Sequence, residues 1–320
     1  MAPDAPDSDG SPDDGERLSP TLACRRRPTS RPDLGDDCWF LAGPTAAGKT
    51  SLGVRMAGRL GAEIISVDSM AVYRGLDIGT AKPSPSDRAR VPHHLIDVVE
   101  PATPFNVALW LDGVAAALDD IRGRGRQILF VGGTPLYLRA LRDGLADVPG
   151  EDPRLREQLR REAEAGGTAA LHRRLAEVDP PAAARIHPND AKRIIRALEV
   201  AATASRTLSA SFAPAPHPVF SHQMMIVDLP RALLRDRIDR RVEAMFAAGL
   251  VEETRAALAL PGGIGPTAGQ ATGYAEAIAV IAGRMTVSEA IRLTQQRTRQ
   301  LAKRQLTWLR SFAGAVWVTA

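Results

Sequence analysis

A phosphate-binding pattern, G-x-x-x-x-G-K-[ST], occupies residues 43–50 and offers the clearest chemistry in the chain. In order, its residues are Gly43, Pro44, Thr45, Ala46, Ala47, Gly48, Lys49 and Thr50. Backbone amides of such a loop face phosphate oxygens, the lysine adds a positive charge, and the threonine hydroxyl can bind Mg²⁺. The loop follows an apolar run at residues 38–42 and precedes a helical pattern, which is the context that this motif requires. We therefore predict a binding site for a di- or triphosphate.

Asp68 is a second candidate group, because it directly follows the β-branched run at residues 63–67. That run predicts a buried parallel strand. Ligands of open α/β sheets bind beyond the carboxyl ends of the strands, so we expect Asp68 in the same crevice as Lys49. A carboxylate there can hold Mg²⁺ through water or accept a proton from a nucleophile. The structural alternative is that Asp68 caps the helix that follows.

Thr134 ends a third segment of interest, Gly132-Gly133-Thr134, which follows a predicted buried strand at residues 126–131. Many nucleotide hydrolases carry a metal-binding aspartate at this place, and this segment has none. The absence of an aspartate at this place argues against an ordinary ATPase. Thr134 is instead a hydroxyl donor or acceptor at the same crevice.

The elements that must position these groups alternate between strands and helices. This pattern predicts an α/β fold with a P-loop NTPase-like parallel sheet, of the kind found in nucleotide kinases. The predicted strands lie at residues 38–42, 63–67, 95–99, 126–131 and 224–227, and helices lie at residues 105–122 and 231–247.

The character of the chain changes near residue 147, where helical patterns follow one another without a buried strand. We assign residues 147–223 to a helical insertion domain, and residues 37–146 and 224–320 to the catalytic core. Residues 1–36 contain too few apolar side chains to offset the cost of ordering, so they are predicted to be a disordered tail.

The composition is that of an ordinary globular protein, with 44% hydrophobic and 24% charged residues among 320. The two cysteines, Cys24 and Cys38, are too few for a disulfide framework, and they do not have zinc-ligand spacing. No apolar run could span a membrane, and the N-terminus lacks a signal-peptide pattern. We therefore expect a cytoplasmic protein without membrane contact, and its net charge of +4 permits a polyanionic partner.

Basic side chains line one face of the predicted helix at residues 189–202. Lys192, Arg193 and Arg196 have the spacing of a shared face, while Ile194 and Ile195 lie on the opposite side. This face suits a nucleic-acid backbone, and an exposed face of salt bridges is an equally common alternative.

A longer basic stripe lies within residues 284–310, where Arg292, Gln296, Arg299 and Lys303 follow one another at i+4 and i+3 spacing. The stretch contains seven Lys or Arg residues and one Glu. A long helix of one charge sign is costly unless an anion binds it, so we expect nucleic acid to bind here.

The predicted helix at residues 231–247 carries Arg235, Arg237, Arg240 and Arg241. Arginines on a helix beyond a sheet strand can reach transferring phosphates. Neighbouring aspartates can equally neutralise these arginines, so both interpretations stay open.

Seven motifs closely resemble those of bacterial tRNA dimethylallyltransferases, in the order of that family, over residues 38–312. They are GPTAAGKT, IISVDSMAVYRGLDIGTAKP, PHHLID, VGGTPLYLRAL, RIHPNDAKRIIRALEV, LRDRIDRRV and TRQLAKRQLTWLR. The resemblance implies transfer of the dimethylallyl group of dimethylallyl diphosphate to N6 of the adenine at tRNA position 37, in tRNAs that read codons beginning with U. The implied partners are dimethylallyl diphosphate and the tRNA anticodon stem-loop, with Mg²⁺ as cofactor, and we expect a monomer.

The resemblance also implies roles for individual residues. The loop from Gly43 to Thr50 would hold the diphosphate, with Mg²⁺ on Thr50. Asp68 would be the catalytic base, and Thr134 would steady the diphosphate or the displaced adenine. Arg237 or Arg240 would cover the leaving pyrophosphate. The residues implied to contact tRNA are Asp68, Ser69, Met70, Ala71, Thr134, Arg156, Lys192, Arg193, Ile194, Ile195, Arg196, Arg299 and Lys303.

Three other functions follow from subsets of the same residues. A dimethylallyltransferase acting on free adenine nucleotides would share the loop and Asp68, but it would not need the basic helices. A P-loop small-molecule kinase would use the arginines of residues 231–247 as a lid. A non-catalytic RNA-binding module would leave both the loop and Asp68 unexplained.

Overall fold

A single parallel sheet forms the centre of the fold. The computed structural model describes residues 32–146, 148–204, 206–211 and 223–319, and six strands lie within these residues. They are β1 (Cys38–Ala42), β2 (Ala62–Val67), β3 (His93–His94), β4 (Gln127–Gly132), β5 (Met224–Asp228) and β6 (Val316–Thr319). The strand order across the sheet is β3-β2-β4-β1-β5-β6, and every pairing is parallel.

Twelve α-helices occur in the described parts of the chain. They are α1 (Lys49–Leu60), α2 (Pro85–Arg90), α3 (Val107–Gly123), α4 (Pro135–Asp143), α5 (Pro153–Gly166), α6 (Thr168–Val178), α7 (Pro180–Arg185), α8 (Ala191–Thr203), α9 (Arg231–Ala247), α10 (Leu250–Ala259), α11 (Tyr274–Ile281) and α12 (Val287–Leu309). Among these described helices, none combines the length and the apolar character needed to cross a bilayer.

Helices cover both faces of the sheet. On one face, Phe40 and Phe130 stack with ring centroids 4.9 Å apart and share an apolar cluster with Trp110 of α3. On the other face, Leu41 packs in a second cluster with Val54 of α1. Successive residues of β1 therefore face opposite layers, which explains why its sequence reads as a continuous apolar run. The predicted α/β fold with a parallel sheet is confirmed.

Most predicted elements of the core agree with the structure, but the strand predicted at residues 95–99 is wrong. Strand β3 comprises His93–His94 and ends there, because Leu95 and Asp97 have φ values of +60° and +56°. Residues in that left-handed region cannot continue a pleated strand. The side chain of Asp97 instead forms ion pairs with Lys82 and Arg88, so the alternating pattern reflects a folded connection.

The predicted tail boundary at residue 36 also needs correction. Leu34 is only 2% exposed and lies in the core cluster that contains Phe40. The guanidinium of Arg122 binds the backbone oxygen of Asp33 and the carboxylate of Asp37, which holds this segment against α3. Residues 1–31 of the predicted tail lie outside the described residues.

Helices α5 to α8 follow one another between α4 and β5, within the residues assigned to the insertion. They enclose an apolar cluster of their own, in which Leu159, Leu175 and Ile194 are almost completely buried. The proline-rich part of the predicted insertion, residues 213–218, lies outside the described residues.

Register brings the predicted functional segments to one edge of the sheet. Ala42 of β1 and Val67 of β2 both pair with Gly132 of β4, so these three strands end at the same level. The loop at residues 43–50, Asp68 and Thr134 follow these ends. The strand order thus brings together the three segments that were predicted from the sequence to bind ligand.

Candidate active site

The loop at residues 43–50 has the backbone of an anion-binding loop. Gly48 adopts φ +89°, a left-handed conformation that favours glycine, and α1 begins at the next residue. Gly48 has no side chain to cap the helix, so amides of the first turn of α1 are available to an anion. The helix dipole adds a partial positive charge at the same end.

Lys49 lies at the centre of this loop and lines a cavity with Asp68, Arg241 and Gln305. Its Nζ donates a hydrogen bond of 2.7 Å to the backbone oxygen of Pro44. The pKa of the ammonium is lowered from its usual value to about 8, chiefly by burial and then by the charge of Arg241, while the charge of Asp68 opposes the shift. The cavity therefore carries more positive than negative charge around Lys49, which suits an anionic ligand.

Because the next described helix, α2, begins only at Pro85, Asp68 holds a turn and does not cap a helix. Its Oδ1 accepts the N–H groups of Met70, at 2.8 Å, and Ala71, at 3.4 Å, so it caps the turn that follows β2. Within the described part of the chain, Oδ2 has no hydrogen-bond donor, and the residue lines the cavity. The carboxylate is thus held by one oxygen while the other can accept a proton from a ligand.

Thr134 is tied directly to the Asp68 turn. Its hydroxyl accepts a hydrogen bond from the N–H of Ser69, at 3.2 Å, and its own N–H donates to the oxygen of Val67. Thr134 also stands at the N-cap of α4. The predicted proximity of Asp68 and Thr134 is therefore present, and the hydroxyl helps to fix the backbone beside the carboxylate.

The arginines of α9 divide between the site and the solvent. Arg241 lines the cavity, and burial lowers the pKa of its guanidinium, while the charge of Asp68 acts in the opposite direction. Arg237 reaches the phosphate-binding loop, because its Nη1 lies 3.6 Å from the position of a Cβ built on Gly48. These two arginines are one helical turn apart and approach the loop together.

Arg240, which the resemblance offered as a cover for pyrophosphate, takes a different position. Its side chain is 75% exposed and forms an ion pair with Asp236 one turn earlier on α9. The residue that occupies the cavity is Arg241. Arg240 and Arg241 are adjacent, so the sequence could not show which of them is buried. The packing of α9 decides this.

Glu253 of α10, which was not predicted from the sequence, supports the loop at residues 77–79 beside the cavity. Its carboxylate accepts the N–H groups of Asp77, Ile78 and Gly79 and the hydroxyl of Tyr274. The next residues, 80–83, line the cavity. A carboxylate with four donors fixes this loop, but no short motif announces it because its partners lie far away in the chain.

Several residues of the insertion that were predicted to bind tRNA have side chains that make contacts inside the insertion. Ile194 and Ile195 are 0% and 7% exposed, and both pack in the insertion cluster, so their side chains are not available to contact RNA. Arg156 and Arg196 both bind the buried carboxylate of Glu199, at 3.0 and 2.6 Å. These arginines neutralise a buried charge that would otherwise be costly.

The exposed basic residues of the predicted surface are fewer than the sequence suggested. Lys192 and Arg193 are exposed at the start of α8, and Lys303 is exposed on α12. Arg299 forms an ion pair with Asp239 of α9, so the α12 stripe is partly neutralised, contrary to its interpretation from sequence. Ala71 is 4% exposed and lines the cavity.

The residues present fit a magnesium ion that is bound mainly by its phosphate ligand. The hydroxyl of Thr50 and the carboxylate of Asp68 line the same cavity. The described residues contain no cluster of three or more His, Cys, Asp or Glu side chains that could hold a metal by themselves. Mg²⁺ commonly keeps its waters and takes only one or two protein ligands beside substrate phosphates.

Comparison with protein families gives two overlapping matches. The model described as "IPP transferase" matches residues 71–312, and the model described as "Isopentenyl transferase" matches residues 37–93. Together the two matches cover the phosphate-binding loop, the Asp68 turn, the insertion and the basic helices α8, α9 and α12.

Similar proteins of known name or structure agree with these matches. A tRNA dimethylallyltransferase of Anaeromyxobacter dehalogenans (strain 2CP-C) is 50% identical, over 87% of this chain and 93% of the relative. One of Geobacter metallireducens is 47% identical, over 87% and 91%. The crystal structure of a tRNA isopentenylpyrophosphate transferase from Bacillus halodurans is 38% identical, with a TM-score of 0.64 over 89% of this chain and 90% of that one. A eukaryotic dimethylallyltransferase solved acting on tRNA has a TM-score of 0.72 over 88% and 73%; at 24% identity it shows the shared fold alone.

Proposed function

We propose that this chain, which belongs to the IPP transferase family, transfers the dimethylallyl group of dimethylallyl diphosphate to N6 of adenosine 37 in tRNAs that read codons beginning with U. The observation that carries the proposal is that Lys49, Arg241 and Asp68 line one and the same cavity. Two cations suit a diphosphate, and a carboxylate beside them suits an amine that must lose a proton.

The reaction breaks a carbon–oxygen bond, not a phosphorus–oxygen bond. The diphosphate oxygen leaves C1 of the dimethylallyl group with the bonding electrons, and N6 of adenine forms the new bond to C1. Asp68 takes the proton that N6 loses. Lys49, Arg241 and the amides of the loop stabilise the charge that develops on the leaving diphosphate.

Mg²⁺ would be held by Thr50 and the diphosphate, and it would supply further neutralisation of the leaving group. The protein must also admit an adenine that is stacked in a tRNA loop, so the base has to be displaced from its neighbours. Thr134 holds the N–H of Ser69 beside Asp68, and we assign to it a contact with either the base or the diphosphate. Exposed Lys192, Arg193 and Lys303 are the residues that we assign to the tRNA backbone.

The direct test uses unmodified tRNA, dimethylallyl diphosphate and Mg²⁺, with detection of a five-carbon addition to the anticodon-loop adenosine by mass spectrometry. Addition to AMP with none to tRNA would replace this function with nucleotide prenylation. Transfer of phosphate from ATP to a small molecule would instead support the kinase alternative.

Two neighbouring arginines provide a matched comparison for diphosphate binding. We expect Arg241→Gln to raise the Kd for magnesium pyrophosphate about tenfold, because it removes a buried charged donor from the cavity. Arg240→Gln should change that Kd by less than about twofold, since its charge is exposed and paired with Asp236. Calorimetric titration at pH 7.5 measures both. Equal effects at the two positions would remove Arg241 from the diphosphate site.

The assignment of α12 to tRNA is tested by the salt dependence of binding. We expect Lys303→Ala to weaken tRNA binding and to lower the slope of log K against log salt concentration by about one unit, as for one lost phosphate contact. Arg59→Ala is the control, because Arg59 is exposed at the opposite end of α1 from the cavity. Filter binding at several salt concentrations gives the slopes, and an unchanged slope for Lys303→Ala would exclude this contact.

A further inference from the structure

Gln305 of α12 connects the diphosphate loop to the turn that carries Thr134. Its side-chain Oε1 accepts the N–H of Thr45 at 2.9 Å, and its Nε2 donates to the oxygen of Gly133 at 2.7 Å. The residue is 7% exposed and lines the cavity. We propose that Gln305 is a positioning residue, which sets the spacing of the two loops that must act together in the transfer reaction; the inference rests on the proposed function.

The chemistry of a primary amide matches this position on both sides. One loop presents a donor and the other an acceptor, so a single amide satisfies both and has only one favourable orientation. A carboxylate would lose the donor, and an apolar side chain would leave the buried oxygen of Gly133 and the half-buried N–H of Thr45 without their partner. Buried unpaired groups of this kind are costly, which favours the arrangement that the amide holds.

The loop at residues 43–50 and the turn at Gly133 lie close together, with the Gln305 side chain beside both. A Cβ built on Gly133 would lie 2.7 Å from the oxygen of Gly43 and 2.8 Å from Nε2 of Gln305. The same position lies 3.5 Å from Nζ of Lys49. The side chain of Gln305, the oxygen of Gly43 and the Lys49 ammonium therefore all lie beside Gly133.

Gln305 also defines which amides of the loop are available to a phosphate. The N–H of Thr45 is already bound by Oε1, so the amides for the diphosphate are those closer to the start of α1. Gln305 lies two residues after exposed Lys303 on the same helix. The helix that we assign to tRNA is thus joined by one buried amide to the loop that we assign to diphosphate.

The test compares two glutamines of α12. Gln305→Met removes both hydrogen bonds to the loops, and Gln305→Glu keeps an acceptor for Thr45 but faces Gly133 with a carboxylate oxygen. Gln295→Met is the control, because its Nε2 donates to the backbone oxygen of Asp239 and to Glu243 on α9, away from both loops. Gln295→Met removes one half-buried and one exposed hydrogen bond of the same helix.

We expect both Gln305 variants to raise the Kd for magnesium pyrophosphate about tenfold or more at pH 7.5, while tRNA affinity changes by less than about twofold. Gln295→Met also loses two hydrogen bonds of α12 but should leave the pyrophosphate Kd unchanged. Wild-type pyrophosphate affinity in folded Gln305→Glu or Gln305→Met would overturn the proposal, and so would an equal loss in Gln295→Met. Pyrophosphate binding needs no group transfer, so a wild-type protein that prenylates no tRNA would remove the proposed function without deciding this one.

Discussion

Replacing Asp68 with Asn is expected to lower the rate of dimethylallyl transfer by about 10²–10⁴-fold, the usual contribution of a positioned general base. The substitution is informative because Oδ1 of Asp68 holds the turn by accepting the N–H groups of Met70 and Ala71. An asparagine oxygen can make the same two contacts, but its amide cannot accept the proton of N6. The turn is preserved, and the base is lost.

Single-turnover rates with saturating tRNA and dimethylallyl diphosphate measure the chemical step, and filter binding measures tRNA affinity. Asp68→Ala removes both the base and the cap, so it should add a loss of thermal stability to the same loss of rate. A normal rate in Asp68→Asn would show that the carboxylate serves only to cap the turn. Loss of tRNA binding in parallel with the rate would likewise assign Asp68 to the interface and not to proton transfer.

The local chemistry of this site was predictable because its residues stand at the ends of strands. An apolar run followed by Gly43, Asp68 or Gly132 identifies a carboxyl edge, and parallel pairing brings such edges together. The same reasoning failed at residues 95–99, where alternation suggested a strand. Left-handed backbone at Leu95 and Asp97 ends β3 there, a feature that side-chain periodicity does not encode.

Contacts between distant segments were not predictable in the same way. Gln305 meets Thr45 across 260 residues, and Glu253 meets the loop at residues 77–79 across more than 170. Charge patterns identified basic helices but not the partners of each arginine. Arg196 therefore read as a surface cation, although it neutralises Glu199 inside the insertion. Helical spacing defines a face, and only packing decides whether that face meets protein or solvent.

The ionisation of Lys49 gives the site a predicted pH dependence. The pKa of its ammonium is lowered to about 8 in the free protein, chiefly by burial and then by the charge of Arg241. A bound diphosphate stabilises the charged form, so the pKa is higher in the complex. The affinity for the diphosphate is therefore constant below about pH 8 and falls as the pH rises through this value. The fall is at most about tenfold per pH unit for one linked proton. Dimethylallyl diphosphate has little proton left to lose in this range, because the terminal phosphate of such an ester loses its last proton near about pH 6.

Calorimetric titration with dimethylallyl diphosphate and Mg²⁺, in the absence of tRNA, should give constant affinity from pH 7 to about 7.5 and a decline above about 8. Lys49→Met should lower affinity at pH 7 by about 10–100-fold, as expected for a lost charged donor, and should abolish the decline. Arg241→Gln provides the second comparison, because removing that cation raises the pKa of Lys49 and moves the decline to higher pH. A decline that persists in Lys49→Met would assign the pH dependence to another group. A decline that does not move in Arg241→Gln would mean that the two cations do not interact across the cavity, and the electrostatic account of the diphosphate site would fail with it.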